Sequence, residues 1–132
     1  MIRELVAHIA SETTLTIGTD LFAGFFPQGS QDSAVAIFET GGQRDVRVDD
    51  RGTFRFMVRS RALSYDAARD LAYEVHDALF NTRFAVTLPE VDSGPAYKVN
   101  AFEPTQAPAW IGQDEKGRHE FSTNFIARYQ IA

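Results

Sequence analysis

The change of hydrophobic period between residues 33 and 80 limits the possible folds more than any other feature of the chain. Ser33–Thr40 is a continuous apolar run between turn residues, which predicts a strand covered on both faces. Thr53–Arg61 alternates apolar and polar residues, which predicts a strand with one buried face. Tyr65–Phe80 has apolar residues at helical spacing and follows Ser64, a residue type suited to an N-cap. This order is not an alternating strand–helix series, so it does not favour a parallel sheet.

The rest of the chain adds one helix and several strands to this core. Apolar residues at helical spacing predict a first helix over residues 2–11. Three strand candidates follow in the last third, Tyr97–Phe102, Ala107–Gln113 and His119–Ile131, and Asp114–Gly117 predicts a tight turn between the last two. The sequence therefore predicts an α+β fold, a mostly antiparallel β-sheet with two main helices packed on one face.

Length and composition restrict the class of protein further. The 132 residues contain no repeat or linker, so residues 1–132 are expected to form a single domain. There is no cysteine, which excludes disulfides, thiolate metal sites and cysteine nucleophiles. No apolar run is long enough for a membrane helix and the first residues do not form a signal peptide, so we expect a soluble protein made in a reducing compartment. The net charge of −5 argues against strong binding to duplex DNA.

The titratable residues do not form a catalytic or metal-binding motif in the sequence. His8, His76 and His119 fall in different predicted elements, without the close spacing that metal ligands show. The second helix carries several acidic residues, which we interpret as its solvated face: Asp66, Asp70, Glu74 and Asp77. No serine lies in a nucleophile elbow and no glycine-rich loop has a lysine placed for phosphate. We therefore predict no catalytic residue, no metal site, no cofactor and no enzymatic activity.

Two segments are candidates for contacts with other proteins. Gly41–Gly52 is bounded by glycine and mixes three arginines with three aspartates, which predicts a long hairpin tip or a mobile loop. Its charged residues are the candidate interface: Arg44, Asp45, Arg47, Asp49, Asp50 and Arg51. Phe25 and Phe26 lie between a glycine and a proline, and they either tuck under the sheet or form an exposed apolar anchor for another subunit.

Two sequence blocks, taken together in this order, resemble a known family. The first is FFPQGSQDSAVAIFETGG (Phe25–Gly42), and the second is FRFMVRSRALSYDAARDLAYEVHDAL (Phe54–Leu79). With the C-terminal stretch FSTNFIARYQ they make the chain similar, over about residues 1–131, to the tail terminator proteins of long-tailed bacteriophages, often labelled minor capsid or minor tail proteins. The chain departs from the family pattern at Gly29–Gln31, where a second proline commonly precedes the acidic residue.

The resemblance implies a ring, typically of six subunits, that caps the finished tail tube and presents the surface to which the head docks. Its implied partners are other copies of the chain, the tail tube protein and a head-completion or connector protein. DNA would pass through the lumen without specific binding, and no membrane is involved. The expected location is the virion, at the head–tail junction, after synthesis in the cytoplasm of the bacterial host. The alternatives are another head–tail neck or completion protein, and a small ligand-binding α+β module.

Overall fold

The computed structural model describes residues 1–44, 51–80 and 85–131, without the side chains of residues 43 and 44. Two helices and seven strands occur in this part of the chain. In chain order they are α1 (Ile2–Glu12), β1 (Leu21–Ala23), β2 (Ala34–Arg44), β3 (Arg51–Ala62), α2 (Tyr65–Phe80), β4 (Val86–Thr87), β5 (Tyr97–Pro104), β6 (Ala109–Gln113) and β7 (His119–Ile131).

The described strands form one sheet in the order β1-β2-β3-β7-β5-β4, and β6 also pairs with β7. β3 and β7 pair along their whole length and form the centre of the sheet. On the other side of β7, β5 and β6 pair with consecutive parts of the same edge. The β1–β2 pair is parallel and the other pairs are antiparallel, which confirms the predicted α+β fold with a mostly antiparallel sheet.

The strand boundaries differ from the sequence prediction mainly in β2. β2 continues past Thr40 to Arg44, because the glycines that suggested a loop instead extend the antiparallel ladder with β3. The strand β4 covers only Val86–Thr87 and pairs with β5. The turn at Asp114–Gly117 joins β6 to β7 as predicted, with the Gly117 amide donating to the Asp114 carbonyl at 3.0 Å.

The main core lies between the two helices and one face of the sheet. At its centre, the Phe56 ring is stacked on Phe125 with 5.3 Å between the centroids and meets the edge of Phe102 at 6.3 Å. The helices contribute Leu5, Val6 and Ile9 from α1 and Val75 and Leu79 from α2. Because aromatic side chains bury large apolar areas, this cluster is the main source of stability of the fold.

The opposite face of the sheet carries a second, smaller apolar cluster. Phe22, Ala34 and Ala36 are buried there, with Phe26 and Phe38 packed against them. Alternate residues of β2, such as Val35 and Ile37, point into the main core instead. Both faces of this part of β2 are therefore covered, as its continuous apolar sequence predicts.

Helix α2 is fixed to β3 at its first turn. The Ala67 amide donates to the Ser64 hydroxyl at 3.1 Å, which confirms the predicted N-cap. The buried Ser60 hydroxyl donates to the Ala68 carbonyl at 2.9 Å and ties this turn to the strand. The position of α2 over the sheet therefore depends on polar contacts as well as apolar packing.

His8 makes the stability of the fold depend on pH. Its ring is buried, lies parallel to Phe102 at 5.9 Å between centroids, and its Nε2 has no hydrogen-bond partner among the described residues. Burial lowers the pKa of His8 below the ordinary 6.5, while the nearby Glu12 carboxylate opposes this shift. As the pH falls below 6.5, the unfolded chain therefore binds the proton before the folded chain does, and stability decreases.

We expect His8→Phe to weaken this pH dependence. Urea unfolding above and below pH 6.5 measures it, and the loss of stability on acidification should be smaller in the variant than in the parent protein. An equal loss in both proteins would contradict a buried, neutral His8. His119→Phe is the matched control, because His119 is only half-buried.

Candidate assembly surfaces

The β2–β3 hairpin ends in an arm whose outer edge is open. We call residues 39–44 of β2 and 51–55 of β3 the hairpin arm. β1 pairs only with Val35–Ile37, so within the described chain the arm edge of β2 has no neighbouring strand. Residues 39–42 are also exposed. An open strand edge presents free amide and carbonyl groups that another chain can pair with.

Glycine is required at one position of the hairpin arm. Gly42 has φ +154°, and a Cβ atom placed there would lie 2.2 Å from the Thr53 carbonyl oxygen of the facing strand. Gly41 has φ +123° but open space where its side chain would be. The ladder shifts register between Glu39 and Gly41, so a bulge bends β2 at the base of the arm.

The residues predicted as a charged interface loop lie at and beyond the end of this arm. Arg44 pairs with Gly52 in the backbone ladder, and Arg51 pairs with Gln130 on the other side. The Arg51 side chain is exposed. The other four predicted residues, Asp45, Arg47, Asp49 and Asp50, lie outside the described part of the chain. Their role at an interface stays a prediction.

The two phenylalanines predicted as an apolar anchor have different environments. Phe25 is 61% exposed. It follows Gly24, the first residue after β1, which has φ +85°. Phe26 is half-buried: its ring meets Phe38 edge-on at 6.4 Å, and the Arg61 guanidinium lies 4.2 Å from its centroid. Phe25 alone is therefore available as an anchor for another molecule.

The loop that carries these phenylalanines is fixed by Arg61. This side chain is 6% exposed and donates to the Ser30 hydroxyl at 2.8 Å and the Gln31 carbonyl at 3.0 Å. Burial lowers the pKa of Arg61 below its ordinary value, and the nearby Arg118 lowers it further, whereas Asp114 and other carboxylates oppose this shift. The Arg61 contacts hold the loop against the helix-free face of the sheet.

The same loop departs from the family pattern, and the structure shows how it is shaped without a second proline. The Ser30 amide donates to the Pro27 carbonyl at 3.1 Å, and Gly29 has φ +80°, which together describe a type II turn. Beyond the turn, the Asp32 carboxylate lies 3.6 Å from the Arg118 guanidinium. The turn and this ion pair close the loop against the β6–β7 hairpin.

An exposed aromatic group at the far end of the sheet was not predicted from the sequence. It contains Trp110, His119 and Tyr65, and we call it the Trp110 group. Trp110 is 51% exposed, and its Nε1–H donates to His119 Nδ1 at 3.2 Å. Tyr65 packs edge-on against Phe121 at 5.1 Å, and Leu63 beside it is exposed. Trp110 pairs with Phe121 in the ladder and the register shifts between Trp110 and Gly112, so the predicted β6–β7 turn alone does not place Trp110 beside His119.

The part of the chain that the structure describes contains neither a cluster of metal ligands nor a membrane helix. No group of three or more His, Cys, Asp and Glu side chains is arranged to hold a metal ion in residues 1–44, 51–80 and 85–131. Among the same residues, no helix is both long and apolar enough to cross a membrane. The hairpin arm, Phe25 and the Trp110 group are exposed and are suited to contacts between proteins.

Comparisons with known proteins agree with this description. A chain from the structure of the virion of a native gene transfer agent (GTA) particle superimposes with a TM-score of 0.62 at 14% identity, covering 96% of this chain and 84% of that chain. This likeness shows a shared fold. No curated protein matches the sequence. The family model described as bacteriophage tail terminator protein matches residues 8–131. The chain therefore belongs to the bacteriophage tail terminator family and is a structural protein of the phage tail.

Proposed function

We propose that this chain is the subunit of a ring of six copies that caps the phage tail tube, stops its polymerisation and offers the surface to which the head docks. The observation that carries the proposal is the family match over residues 8–131. The shared main core of both helices and the sheet supports the further proposal that residues 1–132 act as one domain.

The exposed surfaces of the fold suit a closed ring. A ring of identical subunits needs two different surfaces that complement each other, because each subunit contacts one neighbour with each side. Val35, Ser60, Phe121 and Trp110 follow one another across four paired strands. Trp110 therefore lies at the edge of the sheet opposite β1 and Phe25. One subunit thus presents different apolar groups at its two lateral edges.

The remaining partners follow from the position of such a ring. The tail tube protein would bind one face and a head-completion or connector protein the other, and DNA would pass through the lumen without specific binding. The subunit would be made in the host cytoplasm and end in the virion at the head–tail junction. We place the charged residues 44–51 at the contact with a neighbouring subunit or the tube, since mixed charges suit the polar rim of an interface.

Phe25 provides a direct test of the apolar anchor. We expect Phe25→Ser to weaken assembly on the tube at least about tenfold without changing the thermal midpoint, because the side chain is exposed and the lost contact belongs to a partner. Phe26→Ser is the matched control, since it removes contacts within the chain and should lower the thermal midpoint. Equal assembly of Phe25→Ser and the parent protein would contradict a role for Phe25 as an anchor.

The proposed function is tested by adding the purified protein to tail tubes and to head connectors in separate sedimentation experiments. Co-sedimentation with tubes at a stoichiometry of one ring per tube is the expected result. Binding to connectors without binding to tubes would instead identify a neck or head-completion protein. Binding to neither would contradict the proposal and favour a ligand-binding module.

A further inference from the structure

Arginines follow the central strand on the face of the sheet that no helix covers. Arg51, Arg55, Arg59 and Arg61 alternate along β3 with residues of the main core. The loop containing Phe26 covers Arg61, whereas Arg51 and Arg55 are exposed and Arg59 is half-buried. We call Arg51, Arg55 and Arg59 the arginine row.

Among the described residues, the arginine row has no acidic partner. In residues 1–44, 51–80 and 85–131, no carboxylate forms an ion pair with any of its three guanidinium groups. The Arg59 Nε is buried without a hydrogen-bond partner there, and its guanidinium lies 5.4 Å from the Phe38 ring centroid. A buried charged donor without an acceptor is unfavourable, so an external carboxylate would stabilise this face.

The surroundings of the arginine row favour a protein partner over DNA. Arg55 lies beside the half-buried Ile126 of β7, and Met57 separates it from Arg59 along the strand. Arginine and methionine side chains next to apolar residues are typical of protein interfaces. The Glu103 carboxylate lies on the same face, 3.2 Å from Arg128, and the whole chain has a net charge of −5. Both features disfavour a phosphate backbone.

Helix α2 carries the complementary charge on the other side of the molecule. Asp66, Asp70 and Asp77 are exposed and differ by four and seven positions, which places them on one stripe of the helix. We call these three residues the acidic stripe. Because α2 and the arginine row lie on opposite faces of the sheet, the two groups cannot meet within one subunit. They can meet between neighbouring subunits.

We propose that the arginine row of one subunit binds the acidic stripe of the next subunit in the ring. This inference rests on the ring of the proposed function and names one of its contacts. Arg55 and Arg59 are about 13 Å apart along the strand. Asp70 and Asp77 are about 10 Å apart along the helix, and Asp66 and Asp77 about 16 Å. The spacings agree within the reach of an arginine side chain. Each subunit uses a different surface toward each neighbour, as a closed ring requires.

The test is a charge exchange across the contact. The double change Arg51→Glu with Arg55→Glu reverses the two exposed charges of the arginine row, and the double change Asp70→Arg with Asp77→Arg reverses the net charge of the acidic stripe. Ring formation is measured by analytical ultracentrifugation, alone and on tail tubes, with circular dichroism to confirm folding. Each double change is expected to weaken ring formation at least about tenfold, since like charges would then face each other. All four changes in one chain make the two surfaces opposite in charge again and are expected to restore it.

The control and the contrary outcomes separate this contact from the ring itself. Lys116→Glu makes the same kind of charge change in the β6–β7 turn and should leave ring formation unchanged. If the parent protein and both charge-reversed variants form rings equally well, the proposed contact is wrong, whereas the proposed ring is not contradicted. Failure of the variant with all four changes to assemble, while each double change disrupts the ring, would also overturn the pairing. Intact rings that lose only DNA retention in the Arg51→Glu, Arg55→Glu variant would assign the arginine row to DNA. A parent protein that forms no ring, even on tubes, would contradict the proposed function itself.

Discussion

Replacing Phe56 with alanine is expected to lower the free energy of unfolding by about 3–5 kcal/mol, the usual cost of removing a buried aromatic ring from a packed core. Phe56 is fully buried, and three other rings lie within 6.3 Å of it between centroids: Phe54, Phe102 and Phe125. The cavity left by the change would border all three rings. Neighbours on several strands and a helix cannot all move inward to fill it.

Urea or thermal unfolding followed by circular dichroism measures this loss. Phe25→Ala is the control for the same chemical change at an exposed site, and it should alter stability by less than about 0.5 kcal/mol. A loss below about 1 kcal/mol in Phe56→Ala would show that the stacked phenylalanines are not the centre of the core.

Gly42→Ala is expected to open the hairpin arm while the rest of the fold stays intact. The new Cβ would lie 2.2 Å from the Thr53 carbonyl oxygen, so the two strands have to separate locally. Gly41→Ala is a matched control, because its φ of +123° is also unfavourable but its Cβ would meet nothing within 4 Å. Backbone strain at either position costs about 1–3 kcal/mol, and only Gly42→Ala adds the collision.

Hydrogen exchange distinguishes the two glycine variants. In Gly42→Ala the amides of the hairpin arm should exchange much faster than in Gly41→Ala, with similar protection of the β3–β7 centre in both. If the arm contributes to assembly, Gly42→Ala should also bind tubes less well. Equal protection of the arm in both variants would contradict the close contact between Gly42 and Thr53.

The fold was largely predictable because its elements have clear hydrophobic periods. The alternation in β3 and the helical spacing in α2 reflect one buried face each, and burial of that face decides both structures. β1 was not predictable as a strand, since Leu21–Ala23 has only three residues and its parallel pairing depends on where the following loop returns the chain. Gly41 and Gly42 suggested a loop, whereas the structure uses them in a bulged ladder.

The candidate surfaces were less predictable than the fold, because exposure depends on which neighbour a side chain finds. Phe25 and Phe26 are chemically identical and adjacent, and only the position of Arg61 on β3 explains why Phe26 is covered. The arginine row follows from the alternation of β3 and from the prediction that both helices pack on one face, but the sequence does not indicate that the loop with Phe26 covers Arg61 and leaves the other three arginines uncovered. Predicting the Trp110 group would have required the register between β6 and β7, which only the structure provides.

A ring of this chain at the end of the tail tube should be visible by electron microscopy of purified tail tubes incubated with the protein. We expect one ring of six subunits at a single end of each tube, and tubes so capped should no longer lengthen when free tube protein is added. Tubes whose ends stay bare and continue to grow in the presence of folded protein would contradict the proposed function.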